Sequence, residues 1–180
     1  MSFGDHPNGE YRTVEGKCYY YQKSGMEYED AVTNCKAKFN GNGRLFEPRS
    51  KSDNNNVVGL ARAISANQPF WIGIRTQPHD ESRDFYYLSE GPKEDLAYDG
   101  WLDGEPNDVG NKEDCVSVLR FGNDLSWDDA KCDNEEYSIC EQDVKGKESF
   151  IHRCFVYKRH TKFLIVSGHF KWKTTVSVFL

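Results

Sequence analysis

The 180-residue chain contains no apolar run approaching the roughly 18–20 residues that span a bilayer. It is short of positive charge. With 23 Lys+Arg against 29 Asp+Glu and a formal net charge of -6, it is not a general nucleic-acid binder, which needs basic surface against the phosphates. No two cysteines stand at the two-residue gap of zinc knuckles or thioredoxin-like redox sites. There is no P-loop, nucleophile elbow or metalloprotease helix, and Gly41-Asn42-Gly43 lacks the third glycine of a dinucleotide fingerprint. No internal repeat is visible. Met1-Ser2-Phe3-Gly4-Asp5 shows no charged segment followed by an apolar one, so no signal peptide is seen in this chain.

What is present points to a packed core. Mean hydropathy is -0.79, but 14% aromatic residues and four Trp are too many for a disordered chain. The charge is uneven. Residues 1–142 carry 15 Lys+Arg against 27 Asp+Glu, and residues 143–180 carry 8 against 2. The chain therefore divides into an acidic body and a basic tail. Cys18, Cys35, Cys115, Cys132, Cys140 and Cys154 are even in number and widely spaced. That pattern fits disulfides formed in an oxidising compartment, so a secreted or extracellular location is expected.

Periodicity predicts a helix over 27–39, with Tyr28, Ala31, Val32, Cys35 and Phe39 on one face and a Ser24–Glu27 capping box. Gly41 and Gly43 stop it. A second helix is predicted from Asp53 to Ala66, capped by Ser52 and burying Val57, Leu60, Ala61 and Ile64. Phe70–Ile74 reads as a buried strand and Asp84–Leu88 as its hairpin partner. Cys115–Arg120 and Tyr137–Glu141 read as two more strands. Residues 89–114, rich in Gly, Pro, Asp, Glu and Asn, form a long loop, and such loops are usually functional or disordered. Helices first, strands later, make the class α+β. In the tail, Phe163–Val166 and Phe170–Val178 flank Ser167-Gly168 as a short hairpin or a poorly ordered extension.

The chemistry concentrates in Gly104-Glu105-Pro106-Asn107-Asp108, Glu113-Asp114-Cys115 and Trp127-Asp128-Asp129, read as loops. Hard oxygen ligands at this density suit Ca²⁺, which takes about 6 to 8 of them, and a cation relieves their mutual repulsion. An EF-hand nearly fits, with Asp103, Glu105, Asn107 and Asp114 at its first, third, fifth and twelfth positions. Asp108 stands where glycine is required, Pro106 interrupts the loop and no helices flank it. That reading is rejected. His79, His152, His160 and His169 show no metal spacing. Asp95, Asp99 and Asp103 read as solvated surface, and Trp71, Trp101 and Trp127 as core.

These motifs resemble the C-type lectin-like domain of the mannose-binding kind, marked by Glu-Pro-Asn, Glu-Asp-Cys and Trp-Asn-Asp. The chain shows Glu105-Pro106-Asn107, Glu113-Asp114-Cys115 and Trp127-Asp128-Asp129. Cys18-Tyr19, Cys35, Trp71-Ile72-Gly73-Ile74, Trp101 and Cys140-Glu141 match as well. The resemblance covers residues 6–142, taken as the carbohydrate-recognition domain, with 143–180 as tail. It implies two helices, two small antiparallel sheets and a long Ca²⁺-binding loop. It implies Cys35–Cys140 and Cys115–Cys132 disulfides. His6 replaces a further cysteine of the family's long form, so Cys18 and Cys154 are left to pair with each other, to link subunits or to stay free thiols.

By the same resemblance Glu105, Asn107, Glu113, Asp128 and Asp129 ligate Ca²⁺. Glu105, Asn107, Glu113 and Asp128 also contact two vicinal hydroxyls of a mannose-type glycan, and Pro106 follows a cis bond. A second Ca²⁺ site is expected from Asp108, Glu113 and Asp114. Thr76 stands where an upstream Asp belongs, leaving Asp80 or Glu81 to substitute. Asp128 replaces the usual Asn and cannot donate a hydrogen bond when ionised. Three functions compete: calcium-dependent glycan binding in innate immunity, a homo-oligomer supplying multivalency; the same domain used on protein, mineral or ice; and glycoside cleavage by paired carboxylates. Five ligand positions matching in order and spacing favour the first.

Overall fold

The computed structural model describes residues 3–6, 9–15, 17–64, 68–77, 82–92, 95–121, 124–143, 157–166 and 169–178. Its centre is β3 (Lys17–Met26), where Cys18, Tyr19, Tyr20 and Tyr21 are buried in succession. A strand buries consecutive residues only when both faces are covered. Here Tyr19 and Tyr21 pack into one apolar cluster with Phe46, Ile72 and Trp127. Cys18 and Tyr20 face the other cluster, with Tyr28, Cys35 and Trp71.

One sheet runs β1 (Phe3–His6), β2 (Gly9–Val14), β3, β9 (Glu136–Gln142), β5 (Phe70–Arg75), β7 (Cys115–Phe121) and β8 (Asp124–Ala130). β4 (Arg44–Leu45) pairs with β9, and β6 (Tyr86–Tyr87) with β5. The parallel contact of β5 with β9, Phe70 opposite Tyr137 and Trp71 opposite Ser138, joins two antiparallel halves. The predicted partner of β5 is found as β6, with Ile74 opposite Tyr87. The tail strands β10 (Tyr157–Val166) and β11 (His169–Val178) pair antiparallel in a separate two-stranded sheet.

Helix α1 (Tyr28–Lys38) buries Tyr28, Ala31 and Cys35, the predicted face. The Ser24–Glu27 capping box does not form, because β3 continues through Met26 and takes Ser24 into the sheet. The orphan amide of Tyr28 instead donates to the carbonyl of Cys132 at 3.0 Å. Gly41, at φ +87°, ends the helix by donating to the carbonyl of Lys36 at 2.7 Å. Helix α2 (Lys51–Ile64) begins two residues before the predicted start. Its cap is Ser50, not Ser52. The Ser50 hydroxyl accepts from the amide of Asp53 at 3.0 Å, and the Asp53 carboxylate accepts from the amide of Arg49 at 3.2 Å. Val57 and Ala61 are buried as expected. The side chains of Leu60 and Ile64 lie outside those described.

Disulfides Cys35–Cys140 and Cys115–Cys132 are both formed. The first closes a 105-residue span and the second a 17-residue one. In the chain-entropy account they contribute about 5 and 3 kcal/mol. Cys18 is itself disulfide-bonded, which removes it as a free thiol; the Cys18–Cys154 pairing falls on Cys154, outside the described residues.

Two anchors position the long loop. At its start the buried Glu47 carboxylate accepts from the amide of Ser89 at 2.8 Å and from Arg49 at 2.7 Å. Further on, the loop docks on β8: Trp127 N–H donates to the carbonyl of Gly100 at 2.8 Å, and Leu102 N–H to the carbonyl of Trp127 at 3.0 Å. The Trp127 ring is fully buried, meets Tyr98 and Trp101 edge-on at 5.2 and 5.7 Å, and donates to Asn54 of α2 at 3.1 Å. Gly100 lies directly against that ring. A Cβ there would stand 2.6 Å from Trp127 Cε2 and 2.9 Å from Tyr98 Cε1. Gly100→Ala should therefore destabilise the protein by about 1–3 kcal/mol, read as a lower urea midpoint; an unchanged midpoint would show that the loop is not seated on Trp127.

Candidate functional site

Beyond Trp101 the loop turns back on itself through a run of left-handed residues, Gly104, Asp108, Gly110 and Asn111, and through a cis peptide bond between Glu105 and Pro106. The cis bond agrees with the expectation. Asn107 Nδ2 donates to Glu105 Oε1 at 2.8 Å, and Asn107 N–H donates to Glu105 Oε2 at 3.1 Å.

Opposite this turn stand Asp128 and Asp129. They are not on a loop, as expected from the sequence, but on strand β8, paired with Ser117 and Val116 of β7. The register that buries Trp127 in the core also carries the next two residues to the loop. Each of Glu105, Asp128 and Asp129 offers an oxygen within 4.8 Å of the others. Asp129 is buried and acts as the loop's fastening. Its Oδ1 accepts from Asn107 N–H at 2.9 Å and its Oδ2 from Asp108 N–H at 3.0 Å.

Of the expected principal ligands, Glu105, Asp128 and Asp129 converge, and Asn107 lies against Glu105. Glu113 is not within the three-carboxylate group; its Oε2 accepts from the amide of Val109 at 2.7 Å. The residues expected at a second cation site surround an arginine that sequence reasoning missed. Arg83 Nη1 lies 3.4 Å from Asp108 Oδ1 and 3.3 Å from Asp114 Oδ1. Arg83 Nη2 donates to the carbonyl of Glu113 at 2.7 Å and is paired with Asp129 Oδ2. Thr76 is buried and donates its amide to the carbonyl of Asp114 at 3.0 Å. Asp80 and Glu81 lie outside the described residues. The one sequence signal for Arg83 was a cation between two acidic stretches, which in an exposed loop has many ordinary readings.

The electrostatics fit a cation. Glu105 retains its proton up to about pH 7, because of partial burial, its hydrogen bond with Asp129 and the negative charges of Asp128 and Asp129. Asp128 is raised by burial and by Asp129, and Glu113 by burial and the same aspartates. A positive charge among crowded carboxylates that ionise reluctantly would favour their charged form, and hard oxygen donors are what Ca²⁺ takes. Glu105, Asp128 and Asp129 are the carboxylates close enough together to hold such an ion. Trp71 and Trp127 are buried and Trp101 packs against the core, as expected, rather than offering stacking surfaces.

Fold and site together define a C-type lectin domain. Residues 24–142 match the Lectin C-type domain family model, and the chain belongs to that family, whose members generally bind carbohydrate and are not enzymes. It is 31% identical over 130 residues to collectin-10 of Xenopus tropicalis, which covers 72% of this chain and 43% of that protein. The chain thus spans less than half of that relative. It is 32% identical over 128 residues to lactose-binding lectin l-2 of Anguilla japonica, covering 70% of this chain and 72% of that protein. Among solved structures, the C-type lectin CEL-I from Cucumaria echinata superposes with a TM-score of 0.63 at 20% identity, over 74% of this chain and 94% of that one, which supports the fold. Among the described residues no helix is long and apolar enough to cross a membrane.

A pH dependence follows. A cation among these carboxylates would need Glu105 ionised, and its proton is held below about pH 7. Ca²⁺ affinity measured calorimetrically should be flat above about pH 8 and fall by up to about tenfold per unit as pH drops from 7 toward 5. Affinity constant across that window would show that ion binding does not displace a proton from Glu105.

Proposed function

We propose that the protein is a secreted lectin that binds glycans through Ca²⁺, in the mannose class, and that it serves recognition or agglutination of microbial surfaces. The convergence of Glu105, Asp128 and Asp129 at the rim of the long loop, beside Asn107, is the observation that carries this reading. When bound, the ion supplies a centre that accepts lone pairs from two vicinal sugar hydroxyls. Around it the Glu105 and Asp128 carboxylates would accept hydrogen bonds from the hydroxyls, and Asn107 Nδ2, whose other N–H is given to Glu105, would donate to a hydroxyl oxygen. The order Glu105-Pro106-Asn107 places acceptor before donor, the arrangement that the family resemblance associates with mannose, N-acetylglucosamine, glucose and fucose. The eel relative is named for lactose, so free galactose is a necessary competitor in any test.

Asp128 sets the weak point. A carboxylate there strengthens the pull on Ca²⁺ but offers no donor to the sugar. One lost hydrogen bond costs about 1–2 kcal/mol of affinity. A single site of this kind is weak, and useful avidity comes from multivalent display, which a homo-oligomer would provide. The same substitution favours one alternative, in which the domain holds Ca²⁺ and docks on protein, mineral or ice without sugar.

Mannose–agarose should retain the protein in millimolar Ca²⁺ and release it with chelator or free mannose, while galactose elutes poorly. Retention lost with Ca²⁺ binding intact would instead support the sugar-independent use. Asp128→Asn should tighten mannose binding by about 1–2 kcal/mol, roughly tenfold, on a glycan array; identical profiles would remove Asp128 from the sugar contact.

A further inference from the structure

The guanidinium of Arg83 is encircled by oxygens. Nη1 faces Asp108 Oδ1 and Asp114 Oδ1 at 3.4 and 3.3 Å. Nη2 faces Asp129 Oδ2 and the Glu113 carbonyl, the latter at 2.7 Å. The Arg83 Cζ stands 5.1 Å from the Phe85 ring centroid, so one face of the cation is backed by an aromatic. Three carboxylates and a carbonyl make the donor set of a hard divalent cation. Here a side chain that never loses its charge stands at their centre.

We propose that Arg83 is a built-in replacement for a second divalent cation. It places a permanent positive charge among Asp108, Asp114 and Asp129 and limits the domain to one bound ion. This rests on reading the Glu105, Asp128 and Asp129 cluster as a cation site. Asp129 is the link. One carboxylate takes the amide protons of Asn107 and Asp108 and the charge of Arg83. With Arg83 in place those amides are fixed before any metal arrives, and less ordering accompanies binding. Arg83 is thus a positioning residue rather than a ligand-contacting one.

The test compares wild type with Arg83→Gln in two measurements. Calorimetric titration with CaCl₂ should give one ion per chain for wild type and two for the variant, because removing the guanidinium frees its oxygens for a cation. In chelator, amide hydrogen exchange at Asn107 and Asp108 should quicken at least tenfold in the variant, while Ile72 in β5 stays unchanged. Two ions in wild type, one in both proteins, or unchanged exchange would overturn the inference. No ion in either protein would sink the cation-site reading itself. If Arg83→Gln does not fold, Arg83→Lys carries the test. A point charge cannot fork to all four oxygens, so exchange should quicken at least threefold with one ion retained; exchange equal to wild type would overturn the proposal.

Discussion

The site depends on one buried carboxylate. Asp129 lies at the inner edge of the loop with both oxygens committed, to two backbone amides of the Glu105–Asp108 turn and to Arg83. A buried carboxylate left without donors costs several kcal/mol, so the turn and the arginine are held to it as firmly as it is held by them. Everything upstream serves its placement. The β7–β8 register sets its depth, Trp127 two residues earlier locks that register into the core, and Cys115–Cys132 ties the two strands near the site. The loop has almost no periodic structure, yet its shape is determined by what it must satisfy on β8.

Much of this was legible in the residues. Both helices, the strands at Phe70–Ile74, Cys115–Arg120 and Tyr137–Glu141, and the β6 partner follow from local periodicity, which is where burial acts on neighbours in sequence. The helix caps did not follow. Ser24 and Ser52 satisfy a local rule, but the extent of β3 and the competing Ser50–Asp53 pair decided the outcome. Strand β8 is not visible in its own residues, because Ser126, Asp128 and Asp129 are poor strand formers. Their pairing with β7 is long-range, and no window of sequence contains it.

The site divides in the same way. Glu105, Asn107, Asp128 and Asp129 were identifiable from motif order, whereas Arg83 was not, because its role exists only once Asp108, Asp114 and Asp129 are brought from three separate stretches of chain. A pattern reading expects a metal wherever acids gather. Whether a cation of the protein's own already stands there is settled by tertiary structure.

Strand β8 lies at the end of the sheet order, and among the described residues one side of its backbone has no neighbouring strand. An open border of that kind recruits strands from other molecules. In this protein it is the long loop that covers it: the amide and carbonyl of Trp127 are taken by Gly100 and Leu102, and Trp101 bridges to the same residue. The long loop is therefore also a guard against edge-to-edge pairing. Sequence drift that alters specificity is constrained around Gly100–Leu102 by solubility as well as by binding, and variation should be freer in the stretch that carries Val109, 60% exposed at the far end of the loop.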